Sequence, residues 1–164
     1  MTVAEMPEAV RGTLAAFVES VKQTFADDLR AIVLYGSAAE GRMRATSDVN
    51  LIVVLHRFDE QKANRLREPF RFAQAAIDLK VMFLLDGEIA DASEEFAQKF
   101  ADVRRRHVVL FGDDPFAALD IPRAALTDDA LRARFVAQPA AWRASADSTM
   151  RKRSGWPRKL MRNR

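Results

Sequence analysis

The sequence predicts one mixed α/β, or α+β, domain with a small sheet flanked by helices, and three observations predict it. Apolar residues recur at spacings of three and four through the first thirty positions, the signature of an amphipathic helix. Four short aliphatic runs, rich in β-branched residues, recur further along: Ala31–Tyr35, Val49–Leu55, Leu79–Leu85 and His107–Phe111. Helical patterns fill the longer gaps between them. The length of 164 residues, about half of them apolar, suits a single core.

Each element can be justified in order. Val10, Leu14, Phe17, Val18, Val21, Phe25 and Leu29 lie on one face of a first helix that starts near Pro7. Ala31–Tyr35 is a buried strand closed by Gly36, and Ala38–Gly41 has room for about a turn of helix before the loop 42–47. Val49–Leu55 is the second strand. Residues 59–77 read as helix with an interruption before Pro69, because proline lacks a backbone donor and disfavours helical geometry in the residue before it. Leu79–Leu85 is the third strand, Asp86-Gly87 a turn, 89–106 a helix, and His107–Phe111 a fourth strand closed by Gly112. Thr127, with Asp128 and Asp129 in the first turn, starts a last helix running towards Ala144.

Composition excludes several classes of function. There is no cysteine and there are two histidines, so a thiolate or histidine-cluster metal site is ruled out and any metal must sit on oxygen ligands. Glu5 and Glu8 stand where a signal peptide would carry cations, and no apolar run approaches bilayer length, so the expected location is cytoplasmic. The net charge of +3 hides an asymmetry. Seven basic residues and no acid lie beyond Asp147, which leaves 19 basic against 23 acidic side chains before it. The high pI thus belongs to a basic tail, residues 146–164, and the domain is residues 1–145.

The chemistry concentrates in AIVLYGSAAEGRMRATSDVNLIVVL, Ala31 to Leu55. Asp48 and Asn50 stand at i and i+2 at the head of a strand, so both side chains leave one face while Val49 and Leu51 leave the other. Gly36-Ser37 ends the preceding strand, where backbone donors and the Ser37 hydroxyl can hold phosphate oxygens. Arg42 and Arg44 precede Asp48 and offer guanidinium groups matched to phosphate; solvated loop charges are the plainer reading of both.

Gly36-Ser37, ten residues, Asp48, one residue and then position 50 resemble the signature of the nucleotidyltransferase superfamily, the polymerase-beta-like or minimal nucleotidyltransferase domains, in which a Gly-Ser turn precedes Asp-x-Asp. The resemblance implies that fold, and transfer of a nucleoside monophosphate from a nucleoside triphosphate to an acceptor. Three carboxylates would hold two magnesium ions at the attacking and leaving oxygens. Gly36 and Ser37 would hold the triphosphate and Asp48 would bridge the metals. Asn50 occupies the second carboxylate position, and Asp78 in IDLKVMF is the best placed third acid. Asparagine offers magnesium an oxygen but no charge, so the resemblance implies two ions in an active site and one or none in a degenerate one. Val81–Leu85, Asp91-Ala92-Ser93, Phe96, Phe100 and the run from His107 to Leu126 resemble a bacterial subgroup that carries Ser-Asp-Val/Ile-Asn at this motif.

Three functions are then in play: a magnesium-dependent nucleotidyltransferase, of full or attenuated activity, a pseudoenzyme of the same fold that binds nucleotide or a protein partner as a sensor or antitoxin-like module, and a nucleic-acid binder acting through residues 151–164. In that last case Trp156 would stack on a base while the cations contact phosphates. A disordered solubilising end is the plainer reading of the tail. His56, His107 and Arg104–Arg106 receive no functional role, the arginines because cations suit a helix C-terminus.

Overall fold

The computed structural model describes residues 6–41 and 47–119. The helix predicted beyond Thr127, the basic tail and the loop arginines Arg42 and Arg44 lie outside the described residues. The chain runs α1 (Glu8–Phe25), β1 (Leu29–Tyr35), β2 (Val49–Leu55), α2 (Glu60–Arg65), α3 (Arg67–Ile77), β3 (Leu79–Leu85), α4 (Ile89–Glu95), α5 (Ala97–Arg105) and β4 (His107–Phe111).

The strands form one sheet in the order β3-β2-β1-β4. β1 pairs antiparallel with both β2 and β4, whereas β2 and β3 are parallel. A parallel pair needs a crossover, and α2 and α3 supply it. The two strands of the Gly36-to-Asn50 segment are therefore adjacent and central, as their aliphatic content requires. Alternation along β2 splits the core in two. Val49, Leu51, Val53 and Leu55 face α1 and α3, among Leu14, Phe17, Phe25 and Phe70. Ile52 and Val54 face the other way, towards Ile89, Phe100, Val103 and Phe116.

Two boundaries differ from expectation, and one expected break is found. Leu29 belongs to β1, since α1 ends at Phe25 and Ala26 takes a positive φ of 44°. The interruption expected before Pro69 falls at Leu66, with Asp59 capping α2 through Gln61 and Lys62 amides at 2.8 and 3.1 Å. Pro69 then sits in the first turn of α3, where no backbone donor is needed. The single helix expected over 89–106 is two helices, parted at Phe96 with φ −116° and ψ 44°. Buried Ser93 donates its hydroxyl to the Ala90 carbonyl at 2.7 Å, a local bond of the kind that competes with a helix ladder.

Candidate nucleotide site

The topology brings the C-terminal end of β1 and the N-terminal ends of β2, β3 and β4 to one end of the sheet. One row of paired residues crosses all four strands there: Lys80, Asn50, Tyr35 and His107. Asp48 precedes the row on β2, and Gly36-Ser37 follows it on β1 in a 3-10 turn over Gly36–Ala38. That turn starts two residues earlier than the helical turn expected at 38–41. Gly36 takes φ +81°, and a Cβ there would stand 3.9 Å from Nδ2 of Asn50. The glycine is thus needed for its backbone conformation, with open space around it.

Asp48 is the focus of the site. Lys80 Nζ donates to its Oδ2, and the Asn50 amide also hydrogen-bonds the carboxylate. The Lys80 bond above all holds the Asp48 carboxyl below its ordinary range, with the Lys80 charge and Asn50 adding to it against the cost of burial. The same pairing raises Lys80. The second acid of the set, Asp78, ends α3 in the left-handed region (φ 46°, ψ 47°), and its Oδ2 lies 3.9 Å from the same ammonium. Its carbonyl accepts the Val49 amide at 3.4 Å, tying β2 to the start of β3.

This donor set does not fit a two-metal centre. Among the described residues no group of three His, Cys, Asp or Glu side chains converges on a metal-sized position. Asp48, Asp78, Asn50 and Lys80 together carry a net charge of −1, where three carboxylates would carry −3. The one carboxylate at the centre already accepts from an ammonium and an amide. An aspartate at position 50 would oppose Asp48; the asparagine donates to it.

The turn is held by Arg106, the residue that follows α5. Gly36 donates its backbone N–H to the Arg106 carbonyl at 3.1 Å, so that amide is engaged within the protein. The Arg106 guanidinium reaches Glu40 at 3.3 Å and also binds Asp102. Tyr35, half-buried, has its phenol raised first by burial and then by the charges of Asp48 and Asp102. Lys99 Nζ stands 5.8 Å over the Tyr35 ring, and burial lowers its pKa. His107 is structural: its Nδ1 meets the Val103 carbonyl at 2.9 Å, its Nε2 Asp114 at 3.2 Å, and its ring packs edge-on to Phe116. His56 is exposed, 3.8 Å from Asp86.

Sequence reasoning missed Lys80 and Arg106. A single lysine in the otherwise apolar run LKVMFLL, two residues after Asp78, was the available signal, since i and i+2 share a strand face. Arg106 gave none beyond its place at a helix end.

No family model matches the chain. A protein of Methanocaldococcus jannaschii, MJ1305, named as a candidate protein adenylyltransferase, is 38% identical over 52 residues, which are 32% of this chain and 35% of that protein. Among solved structures, the spectinomycin adenyltransferase AAD(9) of Enterococcus faecialis, with ATP and spectinomycin, superposes with a TM-score of 0.58 at 14% identity, over 70% of this chain and 62% of its own. A chain from the complex of the tri-AMPylated Shewanella oneidensis HEPN toxin with MNT antitoxin reaches a TM-score of 0.39 at 16% identity, over 86% of this chain and 98% of that one, too low a score to carry an argument. This chain thus spans about a third of the curated relative and under two thirds of the better-matched structure. What the likeness to the adenyltransferase shows is a shared fold: a small mixed sheet flanked by helices.

Proposed function

We propose that the domain binds a nucleoside triphosphate at the Gly36-Ser37 turn and that its transfer of nucleoside monophosphate to an acceptor is attenuated or lost. One observation carries this reading: Asp48, the acid on which the transfer chemistry would centre, is satisfied within the protein by Lys80 and Asn50. Support comes from the turn, a strand end that opens into a 3-10 turn, where the backbone donors left free can meet phosphate oxygens, and from the acids beside it, which among the described residues are too few to hold two cations. ATP is the first nucleotide to test, since the better-matched structure holds ATP and the curated relative is named for adenylyl transfer.

Titration calorimetry with ATP, GTP, CTP and UTP should show saturable binding of at least one of them. Incubation with the same nucleotides labelled at the α-phosphate should leave the label on neither the protein nor added acceptors at more than trace levels. Brisk transfer by the native chain would overturn the attenuation, and absence of binding to all four would overturn the nucleotide reading itself.

A further inference from the structure

We propose that Lys80 is the phosphate-binding cation of this site, so that nucleotide is held without a divalent metal. The inference rests on the nucleotide reading above and goes beyond it in naming the group that replaces the metal.

The argument begins with register. Lys80, Asn50 and Tyr35 stand in one row on three adjacent strands, and Gly36 follows Tyr35 directly. Lys80 and the turn are therefore about two strand spacings apart, roughly 10 Å, a gap that a triphosphate and a lysine side chain span together. The ammonium is anchored by Asp48 and sits 3.9 Å from Asp78, while the Lys80 side chain stays 34% exposed. A lysine ammonium has three donors. Asp48 takes one of them, and Asp78 lies just beyond hydrogen-bond range.

Charge points the same way. The place a metal ion would take between the two carboxylates is filled by a positive group of the chain itself. Asn50 fits this arrangement better than an aspartate would. It hydrogen-bonds the Asp48 carboxylate without adding negative charge beside the incoming phosphates. The substitution that spoils a metal site is the one an ammonium site favours.

The test uses the full chain and ATP, titrated once in excess EDTA and once in millimolar magnesium. Native protein should bind in EDTA within about threefold of its affinity in magnesium. Lys80→Met should weaken binding in EDTA by at least about tenfold, as expected for loss of a charge-assisted hydrogen bond to phosphate, and Lys80→Arg should restore part of it. Asp48→Asn should change the affinities in EDTA and in magnesium by the same factor, because Asp48 positions the Lys80 ammonium and ligates no metal. Circular dichroism checks that each variant is folded, and Lys80→Gln replaces Lys80→Met if the latter is not. Binding by native protein only in magnesium, unchanged EDTA affinity in the folded Lys80 variant, or a loss of affinity in Asp48→Asn confined to magnesium would each overturn the proposal while leaving the nucleotide reading intact. Absence of ATP binding under both conditions would overturn both.

Discussion

The two faces of this sheet are made by the same strands and do different work. Towards α1 and α3, alternate residues of β2 are Val49, Leu51, Val53 and Leu55, all fully buried. Towards α4 and α5 the series reads Asp48, Asn50, Ile52 and Val54, so this face begins polar and only then becomes core. The first face carries most of the packing; the second gives up its first two positions to the site. A strand can serve both because its side chains alternate strictly, so changes on one face need not disturb the other.

The strongest way to break that comparison is to hollow out the packed face. Phe17 is fully buried and lies 6.2 Å, centroid to centroid, from the Phe70 ring. Phe17→Ala should cost about 3–5 kcal/mol, read from urea unfolding, while the folded fraction keeps native nucleotide affinity. A cost below about 1 kcal/mol would mean that α1 does not anchor the sheet. A nucleotide affinity that falls in step with stability would mean that the two faces are coupled.

Smaller effects should follow at two glycines with positive φ, at opposite ends of the sheet. Gly112 closes β4 at φ +77°, and a Cβ there would overlap the Arg30 carbonyl oxygen. Gly36, at the site end, has only its backbone conformation at stake. Gly112→Ala should therefore cost about 2–3 kcal/mol, strain plus displaced backbone, with the site unaffected. Gly36→Ala should cost about 1–2 kcal/mol but weaken nucleotide binding more than Gly112→Ala does. Equal effects on binding would place the turn outside the site. Gly12 offers the opposite sign: it lies mid-helix, with nothing within 4 Å of the position a Cβ would take, so Gly12→Ala should stabilise by about 0.5–1 kcal/mol.

The packed face is the more legible of the two in the sequence. β2, β3 and β4 fall where their aliphatic runs predict, because a buried strand must be continuously apolar. β1 is two residues longer than its predicted span, since Leu29 follows Phe25 at a helical spacing of four and periodicity cannot tell a helix from the strand that continues it. On the site face, spacing puts Asp48 and Asn50 on one side of a strand, and the resemblance to the superfamily signature sets the Gly36-Ser37 turn beside them. Lys80 cannot. Its partnership with Asp48 depends on the parallel register of β2 with β3, set by a crossover of two helices, and alternation within one strand carries no record of its neighbour's register. Arg106 is hidden for a similar reason: its carbonyl and guanidinium act on a turn 66 to 70 positions earlier in the chain.

The smallest effect expected is also the sharpest test of the division between faces, because it asks whether the Asp48–Lys80 pair holds the fold. Both side chains are about a third exposed, so solvent screens their attraction and the pair should contribute no more than about 1 kcal/mol. The sign of its pH dependence follows from the two shifts. Asp48 is lowered in the folded protein, so its contribution is present above the unfolded carboxyl value of about 3.9 and is lost as pH falls through the lower folded value. Lys80 is raised, so its contribution is present below about 10.4 and is lost as pH climbs through the higher folded value. Between roughly pH 5 and pH 9 the stability difference between native protein and Lys80→Met should therefore be small and flat, narrowing under acid conditions and in added salt. Urea unfolding of the two proteins across that range measures it directly. A difference of about 3 kcal/mol or more, or one that survives molar salt, would show the pair acting as buried structure, and the site face would then be core that happens to be charged.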